Sequence, residues 1–549
     1  MKGDFTRDTF DPAKHFSRVL MQQGRVTLDA DHNEQAAIEL RYLRTVARDV
    51  IGAYAAPAGA DGGFMLATDA NGVFTISKGR YYVDGILVEN DTENCTYKTQ
   101  LDFPVPADDA LLAALAGNAN ANASQSFWIY LDVWERHITR IEDDSIREKA
   151  LGGPDTCTRA KVVWQVKALL LSAEMQQEME AAKTSVTASI EKLYTRKAQL
   201  EKNFIAEADK TKQVTWLKQL QPLDEELARL NQLSFLRPHQ VLLSRLVRLS
   251  NAKLAARVDP GQKTEDACVT PPASKYRGAE NQLYRVEIHQ GGKVGDNTPP
   301  TLKWSHDNGS VATAWLGGEG SDLQVASTRG FAAGNWVELS DDLSDLLGKP
   351  GILLKLAKAE GGTLTVDAAI PPPPITDFPN NPKVRRWDQI ETDAVTLVDD
   401  AMPIQESPAG SDVWIDLEDG VQIQFSAGGE YRAGDYWLIP ARVATGSVEW
   451  PQDDELNPQP LPPRGIEHHY ALLGFASWAN QKLNVENARF EFWPLLSGVA
   501  QSSLQPGSIH VVGMGAKPNA TEAAPAKAPK ARRRPTKRGP SSPAEDAPS

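Results

Sequence analysis

Cysteine is scarce. Cys95, Cys157 and Cys268 are the only three in 549 residues, and they lie too far apart for a zinc knuckle or a dithiol redox motif. That usage fits free thiols in a reducing compartment. Long apolar runs are also missing. No stretch of about 18 apolar residues occurs, which excludes a helical membrane span. The opening MKGDFTRDTF is charged from its second residue and lacks the apolar centre of a secretory signal. Synthesis in the cytoplasm without a signal peptide is therefore expected. There is no Gly-Lys-Thr phosphate loop, no dinucleotide fingerprint and no His-Glu-x-x-His spacing. A net charge of -14 argues against a broad basic surface for nucleic acid.

What is present points to a mainly β, multi-domain chain. At about 100–200 residues per domain, this length allows several units. Residues 1–52 read as an arm followed by a helix. Asp31 and Glu34 suit a helix N-cap with its capping-box partner, and Gly52 suits a stop. Ile38, Tyr42, Val46 and Val50 recur every four residues as one apolar stripe. Over 53–171 the period falls to two. Asp84-Gly85 sits between Tyr81-Tyr82-Val83 and Ile86-Leu87-Val88, which predicts a type I′ hairpin. Phe127 to Trp134 (FWIYLDVW) is the most strand-like run.

Residues 172–238 break the β pattern. Val186, Ile190, Leu193, Leu200 and Phe204 are spaced by three, four or seven, and Leu217, Leu220, Leu223, Leu227 and Leu230 by three or four. This predicts two inserted, coiled-coil-like helices turning near Glu207 to Thr211, with Pro222 opening a new segment or kinking the second. The β pattern resumes over 239–320. Residues 321–370 hold four short strand candidates, Leu323 to Ala326, Trp336 to Leu339, Ile352 to Leu356 and Thr363 to Val366, as in a small β-barrel-like module. Pro371 to Pro374 close it, and a C-terminal β part follows over 371–514. Residues 515–549, rich in Ala, Pro, Lys and Arg, predict a disordered basic tail. The expected fold is thus β-sandwich or barrel-like modules with an inserted helical hairpin and a disordered C-terminal tail.

Candidate chemistry is thin. His468-His469 on a strand would face opposite ways and cannot easily share a metal. Asp29 to Asn33 resembles the start of a calcium loop but lacks its glycine and closing glutamate. Ser305-His306-Asp307 lacks a nucleophile elbow and fits a tight hairpin turn at Asn308-Gly309. Thirteen tryptophans, several inside strand patterns, suit core filling better than sugar stacking. No catalytic residue, cofactor or metal ligand is assigned. Two interaction surfaces are expected instead. Phe5, Phe10, Phe16, Arg18 and Leu20 lie on an arm too polar to bury itself, which suits docking on a neighbouring subunit. Arg532, Arg533, Arg534, Lys537 and Arg538 form a basic knot suited to weak, salt-sensitive contact with an anionic polymer or surface.

Six segments carry a family resemblance. They are MKGDFTRDTFDPAKHFSRVLMQQGRVTLDADHNEQ, RHITRIEDDSIREKALGGPDT, KYRGAENQLYRVEIH, LKWSHDNGSVA, YRAGDYWLIPARVATGSVEWP and GIEHHYALL. Together they resemble a bacterial family encoded beside contractile, phage-tail-like injection systems, often near baseplate genes. GRYYVDGILVE is also similar to baseplate-proximal segments of phage tail proteins. The resemblance implies a baseplate-attached adaptor or fibre-like subunit whose partners are other particle proteins, with homo-oligomerisation open. It would act in particles assembled in the cytoplasm or released by lysis. It implies no catalytic residues. The alternative is an envelope-glycan-binding or tail-spike-like module, which would need exposed tryptophans beside a carboxylate pair.

Overall fold

The computed structural model describes residues 1–59, 61–69, 72–116, 125–151, 156–206, 209–247, 250–261, 275–367, 371–391, 396–408, 413–479 and 482–493. Its first helix, α1 (Asp29–Ile51), begins two residues before the expected cap. Asp31 sits inside the first turn and its carboxylate reaches back to accept from the Leu28 backbone N–H at 3.1 Å. Gly52 ends the helix as expected, donating to the Arg48 carbonyl at 2.8 Å. The apolar stripe behaves differently from the expectation. Only Ala30 and Ile38 are buried, while Tyr42, Val46 and Val50 are exposed.

The strand Gln125–Ile138 is buried on both faces through most of its length. It lies inside an antiparallel sheet ordered Lys482–Asn487, His469–Ala479, Gln125–Ile138, Arg159–Leu170. A strand covered on both sides reads as a continuous apolar run, not an alternating one. Its one buried acid, Asp132, meets Lys167 and His468, each at 2.7 Å. A second sheet, ordered Glu491–Phe492, Tyr54–Pro57, Gly79–Val83, Ile86–Asn90, and the short helix α2 (Ala110–Leu115) share this core. The strands before the helical insertion therefore find partners near the far end of the described chain.

The insertion itself is two helices, α3 (Ala173–Ala206) and α4 (Lys210–Leu246). They pack through Val186, Ile190 and Leu227, and Lys197 meets Asp224 at 2.6 Å. Pro222 lies within α4, which continues well past the expected limit at residue 238. The extra turns have a reason: Leu242, fully buried, and Leu243 pack against the Trp128 core and root the hairpin there. The tip at 207–208 lies outside the described residues.

Strands after the insertion build a separate core around Tyr284, Trp304, Phe425 and Trp437. Its main sheet is ordered Met402–Pro403, Thr301–Ser305, Gln282–Gln290, Tyr436–Arg442, Ser447–Val448. The four predicted short strands appear as Asp322–Val325, Trp336–Ser340, Ile352–Glu360 and Thr363–Val366. Ala312–Gly317 and Lys383–Trp387 join them to close a barrel, with the short helix α5 (Asp342–Leu347) on its rim. The proline run thus lies between two barrel strands and does not end the module. Asn308-Gly309 is a tight turn with φ of 56° and 62°, but the expected hairpin is absent. The flanking strands go to different sheets, Thr301–Ser305 to Gln282–Gln290 and Ala312–Gly317 to Lys383–Trp387. The turn chemistry fixes a reversal; it does not fix which strands pair across it. The basic tail and Cys268 lie outside the described residues. Cys95 and Cys157 are free thiols. No helix among the described residues is long and apolar enough to cross a membrane.

The Asp84-Gly85 turn is the predicted type, with φ of 49° and 81°. It also presses on α1, since a Cβ at Gly85 would lie 2.1 Å from the Arg44 carbonyl oxygen. Gly85→Ala is expected to cost about 1–3 kcal/mol and to loosen α1. Urea unfolding and protease cleavage within residues 29–51 measure both. Unchanged stability and protection would show that the turn and helix are not tightly joined.

Candidate functional site

The N-terminal strap enters a cavity of about 330 Å³ between the strand Gln125–Ile138, the central sheet and the barrel. Short-range polar contacts fasten the strap. The Met1 amine donates to the Tyr436 hydroxyl at 3.0 Å, and Asn308 Nδ2 donates to the Met1 and Gly3 carbonyls at 3.2 and 2.9 Å. Lys2 Nζ lies 2.9 Å from Glu287. Further on, Thr6 donates to Asp29 and Arg7 lies 3.3 Å from Glu449, while Asp8 pairs with Arg464.

The walls are charged because strand alternation puts several charged residues on inward positions. Arg285 and Glu287 are two apart on one strand and share a face, with Nε to carboxylate at 2.6 Å. Lys303 stands opposite Glu287 in register, 3.3 Å from it and 2.5 Å from Glu338. Trp387 Nε1 donates to the other Glu338 oxygen at 2.8 Å. Nearer the rim, Lys383 meets Glu142 and Asp345, each at 2.6 Å, and Arg136 meets Asp342 at 2.5 Å and Asp345 at 3.1 Å. Glu142, Asp342 and Asp345 cluster closely enough to suggest a metal site, but Lys383 and Arg136 already meet them.

Burial alone would raise the pKa of each wall acid. For Glu287 the nearby Lys2, Arg285 and Lys303 outweigh it and hold the carboxyl well below the usual range. Glu338 is held down to about 2 against burial, chiefly by Lys303 and Lys2, and Glu142 to about 2 by Lys383 and Thr139. Burial pushes Lys2 down to about 8. Burial also pushes His137 down to about 3, with Arg385 adding to the effect, so that imidazole is neutral near pH 7.

The residues singled out in the sequence are dispersed. His468 and His469 pair separately, with Asp132 at 2.7 Å and Asp84 at 3.0 Å. Ser305 donates to Asp307 at 2.6 Å, whereas His306 turns to Glu418 at 2.6 Å and its Nε2 lies 2.9 Å from Arg386. No serine-to-histidine relay is formed by this trio. Phe5 and Phe10 are half-buried on the chain's own body, and Phe5 sits edge-on to His137. Phe16, Arg18 and Leu20 are exposed. Arg532, Arg533, Arg534, Lys537 and Arg538 lie outside the described residues.

All six resemblance-bearing segments reach this one cavity, through Lys2, Glu142, Arg285, Lys303, Tyr436 and His469 in turn. A family described as a family of unknown function, DUF6519, matches residues 1–544. The chain belongs to it. No curated protein and no solved structure matches the chain.

Sequence reasoning missed Glu287, Lys303, Glu338, Lys383 and Arg385. A signal was available: Glu287, Lys303 and Glu338 each stand between apolar or aromatic residues, and Lys383 and Arg385 flank Val384. It could not say which charges would meet. The wall acids also set a pH dependence. Glu142 and Glu338 titrate near 2 when folded, against 4.5 ordinarily. Their contribution is complete above about pH 4.5 and is lost as pH falls toward 2. Melting temperature should therefore fall steeply across that window. Glu338→Gln should cost about 3–5 kcal/mol at pH 7 by leaving Lys303 underpaired. The gap from the unsubstituted protein should narrow as pH falls toward 2, where the glutamate is itself becoming neutral. A gap independent of pH in chemical unfolding would count against this ionic role.

Proposed function

We propose that this chain is a non-catalytic structural subunit, an adaptor or fibre-like part attached near the baseplate of a contractile, phage-tail-like injection particle. The observation that carries this reading is the uncovered apolar face of α1. Tyr42, Leu43, Val46 and Val50 are 55%, 69%, 60% and 62% exposed on one helix. The arm beside it adds Phe16, Leu20, Met21 and Val26, all exposed. Contiguous apolar surface of this kind is a mark of protein contact. The arm is held along the helix, since Val19 N–H donates to Gln35 at 2.7 Å and Arg41 to the Pro12 carbonyl at 3.3 Å. The arm and α1 thus offer a single docking strip to a neighbouring subunit.

The tryptophans also favour a scaffold over a sugar-binding module. Trp128, Trp134, Trp164, Trp304, Trp315, Trp336, Trp387 and Trp437 are buried in cores. Sugar stacking needs indole faces open to solvent. Of the described tryptophans only Trp493 is exposed.

Tagged full-length protein recovered from its native host should bring sheath, tube or baseplate proteins with it, identified by mass spectrometry. A Leu43→Asp, Val46→Asp double variant should keep its circular dichroism and lose most of that recovery, about 30-fold or more if the strip is a hot spot. Recovery of the unsubstituted protein alone, or with envelope glycan only, would reject the structural reading. Equal recovery of a folded double variant would reject α1 as the docking face.

A further inference from the structure

Most cations in the cavity wall have a carboxylate. Lys2 and Arg285 meet Glu287, Lys303 meets Glu287 and Glu338, Arg136 meets Asp342, and Lys383 meets Glu142. Among the buried ones Arg385 is the exception. It is 7% exposed, lines the cavity, and among the described residues no carboxylate lies within ion-pairing distance of it. Among the described residues its guanidinium is given one hydrogen bond, to the Gly309 carbonyl. A guanidinium carries five donors and cannot shed its charge, so burial without an anion is unfavourable. Two further cavity-lining atoms, His137 Nε2 and Arg136 Nε, are buried with no hydrogen-bond partner among the described residues.

We propose that this cavity binds a small organic oxyanion, a carboxylate or a phosphate ester, with Arg385 as the anchoring cation. The planar fork of an arginine matches either group through two parallel hydrogen bonds. The volume stands near the lower end of ligand pockets, which run from about 300 to 1,000 Å³, so the ligand is small. The most exposed wall residues include Lys349 with Pro350 and Ile466 with Glu467, placing a mouth between these two irregular stretches. Lys349 stands there as a cation on the way in. The site takes Arg44 from α1 but none of the exposed apolar residues of the docking strip, so either can fail without the other.

Calorimetric titration of the full-length protein with citrate, inorganic phosphate and pyrophosphate tests this, with sodium chloride at matched ionic strength as the control. Saturable binding of one ion per chain by at least one of the three is expected, absent with chloride. Tighter binding of citrate would assign a carboxylate ligand; tighter binding of the phosphates would assign a phosphate ester. Arg385→Gln, with folding checked by circular dichroism, should weaken binding roughly 30-fold or more. Lys349→Ala changes only an exposed side chain and should weaken it by about twofold to fivefold. No saturable heat from any probe would overturn the proposal, and so would unchanged affinity in a folded Arg385→Gln protein. Should that variant not fold, unchanged affinity in Lys349→Ala overturns it instead.

Discussion

Glu287 keeps its charge with its side chain only 4% exposed, and three cations from three parts of the chain make that possible. Lys2 comes from the N-terminal strap, Arg285 from the same strand and Lys303 from the neighbouring strand. Lys303 then hands the network to Glu338 on the barrel, and Glu338 accepts from Trp387. One carboxylate thereby ties the chain's first residues to the central sheet, and through Lys303 to the barrel. Any one of these charges left alone would be strongly unfavourable at such burial. The relative placement of strap, sheet and barrel is set by the demand that they be neutralised together.

Buried ion pairs contribute little net stability compared with well-packed apolar groups, but losing one partner is severe. Such a network therefore selects a geometry more than it deepens a core. Apolar packing supplies the separate cores around Trp128, around Tyr284 and Trp304, and inside the barrel. The charged layer lies where pieces of these meet. The same division explains the arm. Met1 to Gly3 and Thr6 to Asp8 have polar partners on the body, whereas Phe16, Leu20 and Met21 are exposed. One segment is thus both an internal strap and an outward apolar strip.

Local chemistry made some of the fold readable in advance. Asp84-Gly85 demands positive φ at both positions, and the hairpin forms around it. The four short barrel strands follow from period-two patterns bounded by turns. The helical stepping of residues 172–238 found α3 and most of α4, but not the final turns, whose helical register depends on Leu242 reaching a core made elsewhere. Asn308-Gly309 gave the turn and not its strands. The stripe of α1 was legible as a stripe, yet periodicity cannot tell a face that is covered from one that awaits a partner.

The sequence by itself determined the elements whose causes lie within a few residues: turns, strand periods, helix stops and the mainly β character. Only the tertiary structure decided the cavity. Its walls join Lys2, Glu142, Glu287, Lys303, Glu338 and Arg385, which stand up to hundreds of positions apart. Whether a buried charge is paired depends on distances of a few ångströms between such residues. No local pattern encodes those distances, because they are fixed by how separate sheets and a barrel come together.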